Sequence, residues 1–148
     1  MKVYIGSDHA GVALKAKVAE KVQAMGHDVE DLGPYSEESV DYPIYGRKVG
    51  EKVVADKDAK GIVICGSGIG ISIAANKVRG VRAALCGDPL SAKLCRQHNN
   101  ANVLAMGARI IGESLALDLV ENFLTTAFEG GRHQRRVDMI EAEVADNE

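Results

Sequence analysis

Short apolar runs alternate along the chain with longer segments in which apolar residues recur at helical spacing. This alternation is typical of repeated βαβ units and a mostly parallel sheet. It predicts five strands, at residues 2–6, 27–32, 61–65, 81–86 and 102–106. The predicted helices lie between and after these strands, at 10–25, 42–55, 71–78, 89–98 and 112–128. The predicted fold class is therefore α/β.

Local signals support several of these boundaries. Gly26 follows the first helical pattern, where a glycine commonly ends a helix. Asp41 precedes the second helix and is a candidate N-cap residue. The run 61–65 is apolar on both faces, as expected of a central strand that helices cover on each side.

The last part of the chain departs from the alternation. A glycine pair leads into a C-terminal helix with a narrow apolar stripe that contains Val137, Ile140 and Val144. A helix appended to a complete α/β unit often packs against a partner subunit, so we expect a homo-oligomer. No internal repeat or linker divides the sequence, and residues 1–148 are expected to form a single domain.

The composition excludes several classes of protein. Hydrophobic residues make up 46% and charged residues 26% of the chain, and no apolar stretch approaches the ~18 residues of a membrane span. The formal net charge of -3 gives no general field that attracts nucleic acid. Lys2 and Gly6 interrupt the first residues, so the apolar run there is too short for the core of a secretory signal peptide. We therefore expect a cytoplasmic protein with neither a membrane nor a nucleic-acid partner.

The three cysteines do not form a recognisable framework. Cys65, Cys86 and Cys95 are odd in number and never spaced C-x-x-C, which fits neither a disulfide scaffold nor a four-thiolate zinc site. A zinc site built from Cys86, Cys95 and His98 lacks a plausible fourth ligand nearby. We expect reduced thiols, with Cys86 and Cys95 buried as small hydrophobic residues, and no metal or other cofactor.

A glycine-rich loop follows the predicted central strand. Gly66, Gly68 and Gly70 let backbone N–H groups approach a ligand, and the loop opens a helix whose positive dipole end favours an anion. The alternative is a tight strand-to-helix turn that holds no ligand. Ile71 stands where a dinucleotide fingerprint needs its third glycine, and no G-K-[ST] follows, so neither nucleotide motif is present.

Ligands of open parallel sheets bind beyond the carboxyl ends of the strands, so the loops 7–11, 65–70 and 87–89 are expected to lie near one another. Cys65 ends the central strand beside the helix amides, an electropositive position of the kind that lowers a thiol pKa. A thiolate there could act as a base or nucleophile, although a strand-end cysteine often serves packing alone.

Histidines occupy two further positions of interest. His98 ends its predicted helix, where the negative dipole end favours an imidazolium that could donate a proton. An exposed C-capping histidine is the structural alternative. His9 follows Asp8 in the first loop, and an Asp-His pair at the end of a strand carries more chemistry than a turn requires.

One basic cluster stands out, and it contains Arg132, His133, Arg135 and Arg136. Guanidinium groups match phosphate oxygens bidentately, so the cluster could hold a phosphate. Nucleic-acid binding is disfavoured because the cluster is short, lacks interleaved aromatic residues and belongs to an acidic protein. A solvated helix start is the structural alternative.

Six motifs together resemble the sugar-phosphate isomerase family that contains the B-type ribose-5-phosphate isomerases and the galactose-6-phosphate isomerase subunits. They are GSDHAG at 6–11, SVDYP at 39–43, ICGSGIGISIAAN at 64–76, RQHN at 96–99, NVLA at 102–105 and EGGRH at 129–133. The motifs span nearly the whole chain in order. The resemblance implies a Rossmann-like three-layer sandwich, a homodimer with the C-terminal helix at its interface and active sites shared between subunits, and a dimer of dimers as an open further assembly.

The resemblance also implies residue roles in a metal-free interconversion of ribose 5-phosphate and ribulose 5-phosphate, a step of the non-oxidative pentose phosphate pathway. Cys65 is the implied base between C1 and C2, and Ser67 replaces the threonine of many relatives as a hydroxyl that holds the enediolate. His98 is the implied ring-opening residue, assisted by Asp8. The loop amides implied to hold the enediolate oxygens belong to Gly66, Gly68, Ile69 and Gly70. The other implied substrate contacts are His9, Tyr42, Asn99, Arg109, Arg132 and Arg136.

Three alternatives remain open from the sequence. The substrate could be a 6-phosphorylated hexose such as allose or galactose 6-phosphate, because the loop lengths do not decide between sugars. The chain could bind a sugar phosphate without catalysis, which would leave Cys65 and His98 unexplained as a pair. Cys65 could also sense oxidants.

Overall fold

The computed structural model of the chain describes residues 1–142. The strands in this part are β1 (Lys2–Ser7), β2 (Asp28–Asp31), β3 (Lys60–Cys65), β4 (Ala83–Leu85) and β5 (Val103–Gly107). The helices are α1 (Val12–Ala24), α2 (Tyr42–Ala55), α3 (Ile69–Asn76), α4 (Pro89–Gln97), α5 (Glu113–Thr125) and α6 (Arg132–Glu141). The predicted order of elements is confirmed, and a single 3₁₀ turn (His9–Gly11) precedes α1.

The strands form one five-stranded sheet in the order β2-β1-β3-β5-β4, and every neighbouring pair is parallel. β3 lies at the centre, where Ile62, Val63 and Ile64 are fully buried. The prediction of a central strand covered on both faces is therefore confirmed. Because all strands run the same way, their carboxyl ends lie at one edge of the sheet, which we call the carboxyl edge, and their starts lie at the amino edge.

Helices cover both faces of the sheet and enclose two hydrophobic cores. One core lies beneath α1, α4 and α5 and receives Ile62 and Ile64 from the central strand. The other lies beneath α2 and α3 and receives Val63 and Cys65. Successive strand residues point to opposite faces, so adjacent residues of β3 serve different cores. The result is the three-layer α/β arrangement expected from the sequence.

Two predicted helices end early because side chains provide other hydrogen-bond partners. The helix predicted to reach residue 78 ends at Asn76, whose side-chain amide donates to the Ala83 carbonyl at 3.0 Å and accepts from the Ala83 N–H at 2.8 Å. The helix predicted to reach residue 128 ends at Thr125. Thr126 is extended, and its carbonyl accepts from the Arg96 guanidinium at 3.2 Å.

Other expectations about the helices are met in part. Asp41 occupies the N-cap position of α2, but its side chain makes no capping hydrogen bond, so that part of the prediction is wrong. In α6, Val137 is buried whereas Ile140 is exposed, and Val144 lies outside the described residues. None of the helices in residues 1–142 has the length and apolarity that would let it cross a membrane.

Candidate active site

A cavity of about 630 Å³ opens at the carboxyl edge, beyond the ends of β1 and β3. Its lining residues are Asp8, Tyr42, Cys65, Gly66, Ser67, Ile69, Gly70, Ile73, Arg109 and Ile110. The Asp8 N–H donates to the Ile64 carbonyl at 3.0 Å, which joins the first loop to the central strand. The Asp8 carboxylate accepts from the Ala10 N–H at 3.0 Å and is almost fully buried.

The Cys65 thiol lies in the wall of this cavity and is only 4% exposed. The Gly68 N–H donates to its sulfur at 3.1 Å. Gly68 adopts a φ of 79°, and a Cβ there would lie 2.7 Å from the carbonyl carbon of Met106. Only glycine therefore suits this turn, which directs a backbone donor at the thiol.

The rest of the glycine loop carries polar groups into the cavity. Ser67 accepts from the Ile69 N–H at 3.2 Å, and its hydroxyl hydrogen remains available to a ligand. The Arg109 side chain lies over Gly66, where an added Cβ would be 3.4 Å from Nη1. The Tyr42 ring packs so closely on Gly70 that an added Cβ would overlap it.

The loops 7–11 and 87–89 lie beside this cavity, as predicted. His9 lies in the 3₁₀ turn, and its Nδ1 accepts from the Val40 N–H at 3.2 Å, so the neutral ring carries its proton on Nε2. Gly87 and Ser67 line an adjoining cavity of about 240 Å³. The convergence of the three loops at the carboxyl edge is therefore confirmed.

His98 lies at the opposite edge of the sheet. It is the C-cap residue of α4, and the chain enters β5 only at Val103. Within the sheet Gly61 pairs with Val103, and Cys65 pairs with Gly107 at the far end of that strand. Four residue steps of a strand span about 13 Å. Within one chain, His98 therefore lies too far from the Cys65 thiol to act with it.

A second polar cluster forms around His98 instead. The rings of His98 and His133 stack with centroids 4.3 Å apart and an interplanar angle of 12°. Nε2 of His133 lies 3.5 Å from a carboxylate oxygen of Glu129. Burial lowers the pKa of His133 from its ordinary value, and electrostatic interactions with the neighbouring His98 and Arg132 side chains lower it further, while Glu129 opposes the shift.

Arg96 holds the loop of this second cluster, a role that the sequence analysis missed. Its side chain is only 7% exposed and donates to the Ala101 carbonyl at 2.6 Å and to the Asn100 amide oxygen at 2.9 Å. Burial lowers the pKa of this guanidinium. The position of Arg96 in the R-Q-H-N motif was the one sequence signal for this role. The buried carbonyls that accept its hydrogen bonds are visible only in the structure.

The predicted site residues thus fall into two groups. The first surrounds the thiol at the carboxyl edge and includes Asp8, His9, Tyr42, Cys65, Gly66, Ser67, Gly68, Ile69, Gly70 and Arg109. The second includes His98, Asn99, Arg132 and Arg136. Asn99 lines a separate cavity of about 850 Å³, which the Arg82–Glu141 ion pair (2.6 Å) borders.

Large apolar side chains surround the mouth of the thiol cavity. Ile69, Ile73 and Ile110 line the thiol cavity, and Leu85 lines the adjoining cavity beside Ile69 and Ile110; we call the surface of these four residues the apolar rim. The exposed fractions of Ile69, Ile73, Ile110 and Leu85 are 53%, 55%, 72% and 44%. Contiguous exposed apolar surface of this kind commonly marks an interaction site.

Comparison with known proteins gives consistent matches over most of the chain. A family model described as Ribose/Galactose Isomerase matches residues 3–140. The chain is 47% identical over 141 residues to ribose-5-phosphate isomerase B of Escherichia coli (strain K12), covering 95% of each sequence.

Solved structures agree with this match. Ribose-5-phosphate isomerase B of Clostridium thermocellum superposes with a TM-score of 0.93 at 51% identity, covering 95% of each chain. The Mycoplasma genitalium enzyme, solved with bound ribulose-5-phosphate, gives a TM-score of 0.91 at 45% identity over 95% of this chain and 93% of the other.

Proposed function

Because this chain belongs to the ribose/galactose isomerase family, an aldose-ketose isomerase family, we propose that it interconverts ribose 5-phosphate and ribulose 5-phosphate through an enediolate. The M. genitalium relative was solved with ribulose-5-phosphate bound. The observation that carries the proposal is the Cys65 thiol, which lies in a cavity wall with the Gly68 N–H directed at its sulfur. An N–H donor stabilises a thiolate more than a thiol.

In the proposed reaction Cys65 is the base. The thiolate removes the proton from C2 of the open-chain aldose, and the C1 carbonyl oxygen gains the negative charge. The thiol then returns the proton to C1, while the O2 hydroxyl loses its proton to O1 and C2 becomes the ketone. Positioned general bases of this kind accelerate reactions by roughly 10²–10⁴.

The glycine loop is proposed to hold the developing charge on O1 and O2. The first N–H groups of α3 have no partner within the helix, and its positive dipole end points at the same place. The Ser67 hydroxyl adds a side-chain donor. Donors that are fixed in advance cost no reorganisation during the reaction, and each is typically worth about 3 to 4 kcal/mol.

Ring opening is assigned to His98, with Asp8 assisting, and this assignment requires a second copy of the chain. His98 belongs to the amino edge and the thiol to the carboxyl edge. We therefore propose a homodimer in which the carboxyl edge of one copy meets the His98 cluster of the other. The apolar rim around the thiol cavity is the surface that such a partner would cover.

The same arrangement gives a phosphate site with contributions from both copies. Arg132 and Arg136 lie one turn apart on α6 and close to His133. In the proposed dimer they reach the phosphate from one copy, while His9 and Arg109 approach from the other. Asn99 and Tyr42 are the proposed contacts to the sugar hydroxyls.

The test of this function is the conversion of ribose 5-phosphate by purified protein with chelator present, for the native chain and Cys65→Ala. We expect Cys65→Ala to lower kcat by about 10³ while ribose 5-phosphate still binds, because the loop and phosphate donors remain. Cys95→Ala, which removes a buried thiol outside the cavity, is the matched control and should keep its activity. Normal turnover by Cys65→Ala would reject the assigned base.

A hexose 6-phosphate is the second candidate substrate, because the family description covers galactose as well as ribose. A six-carbon sugar would place its phosphate one carbon further from C1. Comparing kcat/KM for ribose 5-phosphate, allose 6-phosphate and galactose 6-phosphate distinguishes the candidates. Absence of turnover with all three would favour a binding protein without catalysis.

A further inference from the structure

Three metal-ligating side chains converge at the amino edge of the sheet. One ligand atom from each of His98, Glu129 and His133 lies within 4.8 Å of the other two. We propose that these residues bind Zn²⁺, or a divalent cation with the same preference for imidazole. This site differs from the cysteine-containing zinc site considered from the sequence, because neither Cys86 nor Cys95 belongs to it.

The scaffold places the three ligands independently of any ion. The His98 N–H donates to the Leu94 carbonyl at 2.9 Å at the end of α4. The Glu129 N–H donates to the Gln97 carbonyl at 3.1 Å, which fixes the α5–α6 loop against the same helix end. His133 lies in the first turn of α6 with its side chain buried.

Two imidazoles and one carboxylate form a ligand set that zinc uses when one coordination position stays open. Zinc–ligand bonds of about 2.0–2.1 Å place tetrahedral ligand atoms about 3.3 Å apart. Nε2 of His133 and the Glu129 carboxylate already lie 3.5 Å apart. Because all three ligand atoms lie within 4.8 Å of one another, the widest pair must approach by at most roughly 1.5 Å. The Glu129 side chain is half exposed and can rotate, and His98 can tilt out of the ring stack at its helix end.

The surrounding charges select the class of ion and set its affinity. Arg132 and Arg136 lie near His133 and oppose a dication, whereas Glu129 supplies the one compensating negative charge. We therefore expect weaker binding than in a closed structural zinc site. Magnesium and calcium prefer sites made of oxygen atoms, so they should compete poorly with zinc here.

Occupancy would have a consequence for the reaction, and this part rests on the proposed function. A His98 imidazole that coordinates zinc through one ring nitrogen cannot become an imidazolium, so it loses the acid form that would donate a proton to the ring oxygen of the sugar. Zinc should therefore inhibit the isomerisation, and a chelator should restore it. The ion acts here as an inhibitor, which is compatible with metal-free catalysis.

Binding can be tested without turnover by titrating Co²⁺ into the purified full chain, free of any histidine tag, and recording visible absorption. We expect one Co²⁺ per chain, bands of nitrogen and oxygen ligands, no thiolate charge-transfer band, and displacement by Zn²⁺. Glu129→Gln should weaken binding by about tenfold or more, because it removes a ligand and the compensating charge. The control Glu113→Gln, on exposed α5 surface, should bind as the native chain does. A thiolate band, or native affinity in Glu129→Gln, would overturn the site.

Inhibition is then measured on native protein and Glu129→Gln in matched Zn²⁺ and Mg²⁺ series. We expect zinc to inhibit the native chain and Glu129→Gln to require about tenfold more zinc for the same fractional inhibition, with each protein compared with its own activity in chelator. Full turnover at saturating bound zinc would exclude His98 as a ligand and overturn the proposal. Native protein that binds Co²⁺ as expected but converts no sugar phosphate would refute the proposed function and leave the metal site supported.

Discussion

The two edges of the sheet carry different kinds of chemistry. At the carboxyl edge the functional groups are a buried thiol, a hydroxyl and backbone N–H groups of a glycine loop. At the amino edge they are long or titratable side chains around the His98–His133 stack. Fixed dipoles suit a charge that develops during a reaction, whereas mobile cations suit capture of a charged ligand. In the proposed function, the carboxyl edge accordingly supplies the base and the fixed donors for the developing charge, and the amino edge supplies the ring-opening histidine and two of the phosphate-binding arginines.

Chain direction explains why the edges differ. In a parallel α/β fold the helix N-termini follow the strand ends, so the carboxyl edge collects positive dipole ends and favours anions. Helix C-termini collect at the amino edge and favour cations. α4 connects the two, because it begins at the Asp88 cap beside the glycine loop and ends at His98. A residue needed at the opposite edge must come from another copy.

The largest expected effect comes from combining two inactive variants. Cys65→Ala and His98→Asn should each be nearly inactive, but mixed dimers would contain one site with both defects and one with neither. With random exchange of subunits, half of the dimers are mixed, so activity should rise to about one quarter of the native value. The measurement is ribose 5-phosphate turnover after co-expression or subunit exchange. Activity that stays at the level of the separate variants would mean that each site lies within one chain.

The next effect distinguishes recognition from chemistry. Arg136→Ala should raise KM by about 10- to 100-fold with a smaller change in kcat, because a charge-assisted phosphate contact is worth roughly 1.5 to 3 kcal/mol. Arg135→Ala removes an equally exposed neighbouring arginine and should leave KM near the native value. Equal effects of the two substitutions would indicate general attraction of the phosphate by the cluster.

Arg96→Met tests whether the amino edge depends on one buried cation. Carbonyls of Ala101 and Thr126 would lose their donor, so the free energy of unfolding should fall by about 2–4 kcal/mol. Urea denaturation measures this change. Arg96→Lys keeps the charge but has fewer directed donors, so its free energy of unfolding should lie between those of the native chain and Arg96→Met. A native unfolding free energy for Arg96→Met would show that water replaces the guanidinium without cost.

The smallest effect concerns the start of α4 at the carboxyl edge. Hydrogen bonds from the Ser91 hydroxyl and N–H lower the pKa of Asp88 from its ordinary value. The folded chain therefore favours the carboxylate, and the contribution is present above about pH 4 and lost as the pH falls through the lowered pKa. Asp88→Ala should lower Tm by about 2–4 °C at pH 7, and the difference should shrink in acid. A difference that persists unchanged below pH 3 would reject the charged cap.

Much of the fold could be predicted from the sequence because periodicity records which residues face a core. The central strand followed from apolar residues on both faces, and the glycine loop followed from its spacing. Helix ends at Asn76 and Thr125 could not be predicted, since they involve hydrogen bonds between the Asn76 side chain and the Ala83 backbone and from the Arg96 guanidinium to the Thr126 carbonyl. The neighbourhood of Cys65 was predicted from strand direction. Its separation from His98 depends on register across β5, which only the structure provides.

The separation of the two edges has a genetic consequence if the dimer forms as proposed. A duplicated gene could then lose the thiol in one copy and the histidine in the other, and each mixed dimer would still retain one intact site. Neither gene could be deleted afterwards without loss of the reaction. β5 places Gly107 beside Cys65 and Val103 near the His98 loop, and its length therefore separates the thiol from the histidine within one chain. Through this separation, two genes that began as redundant copies would come to depend on each other.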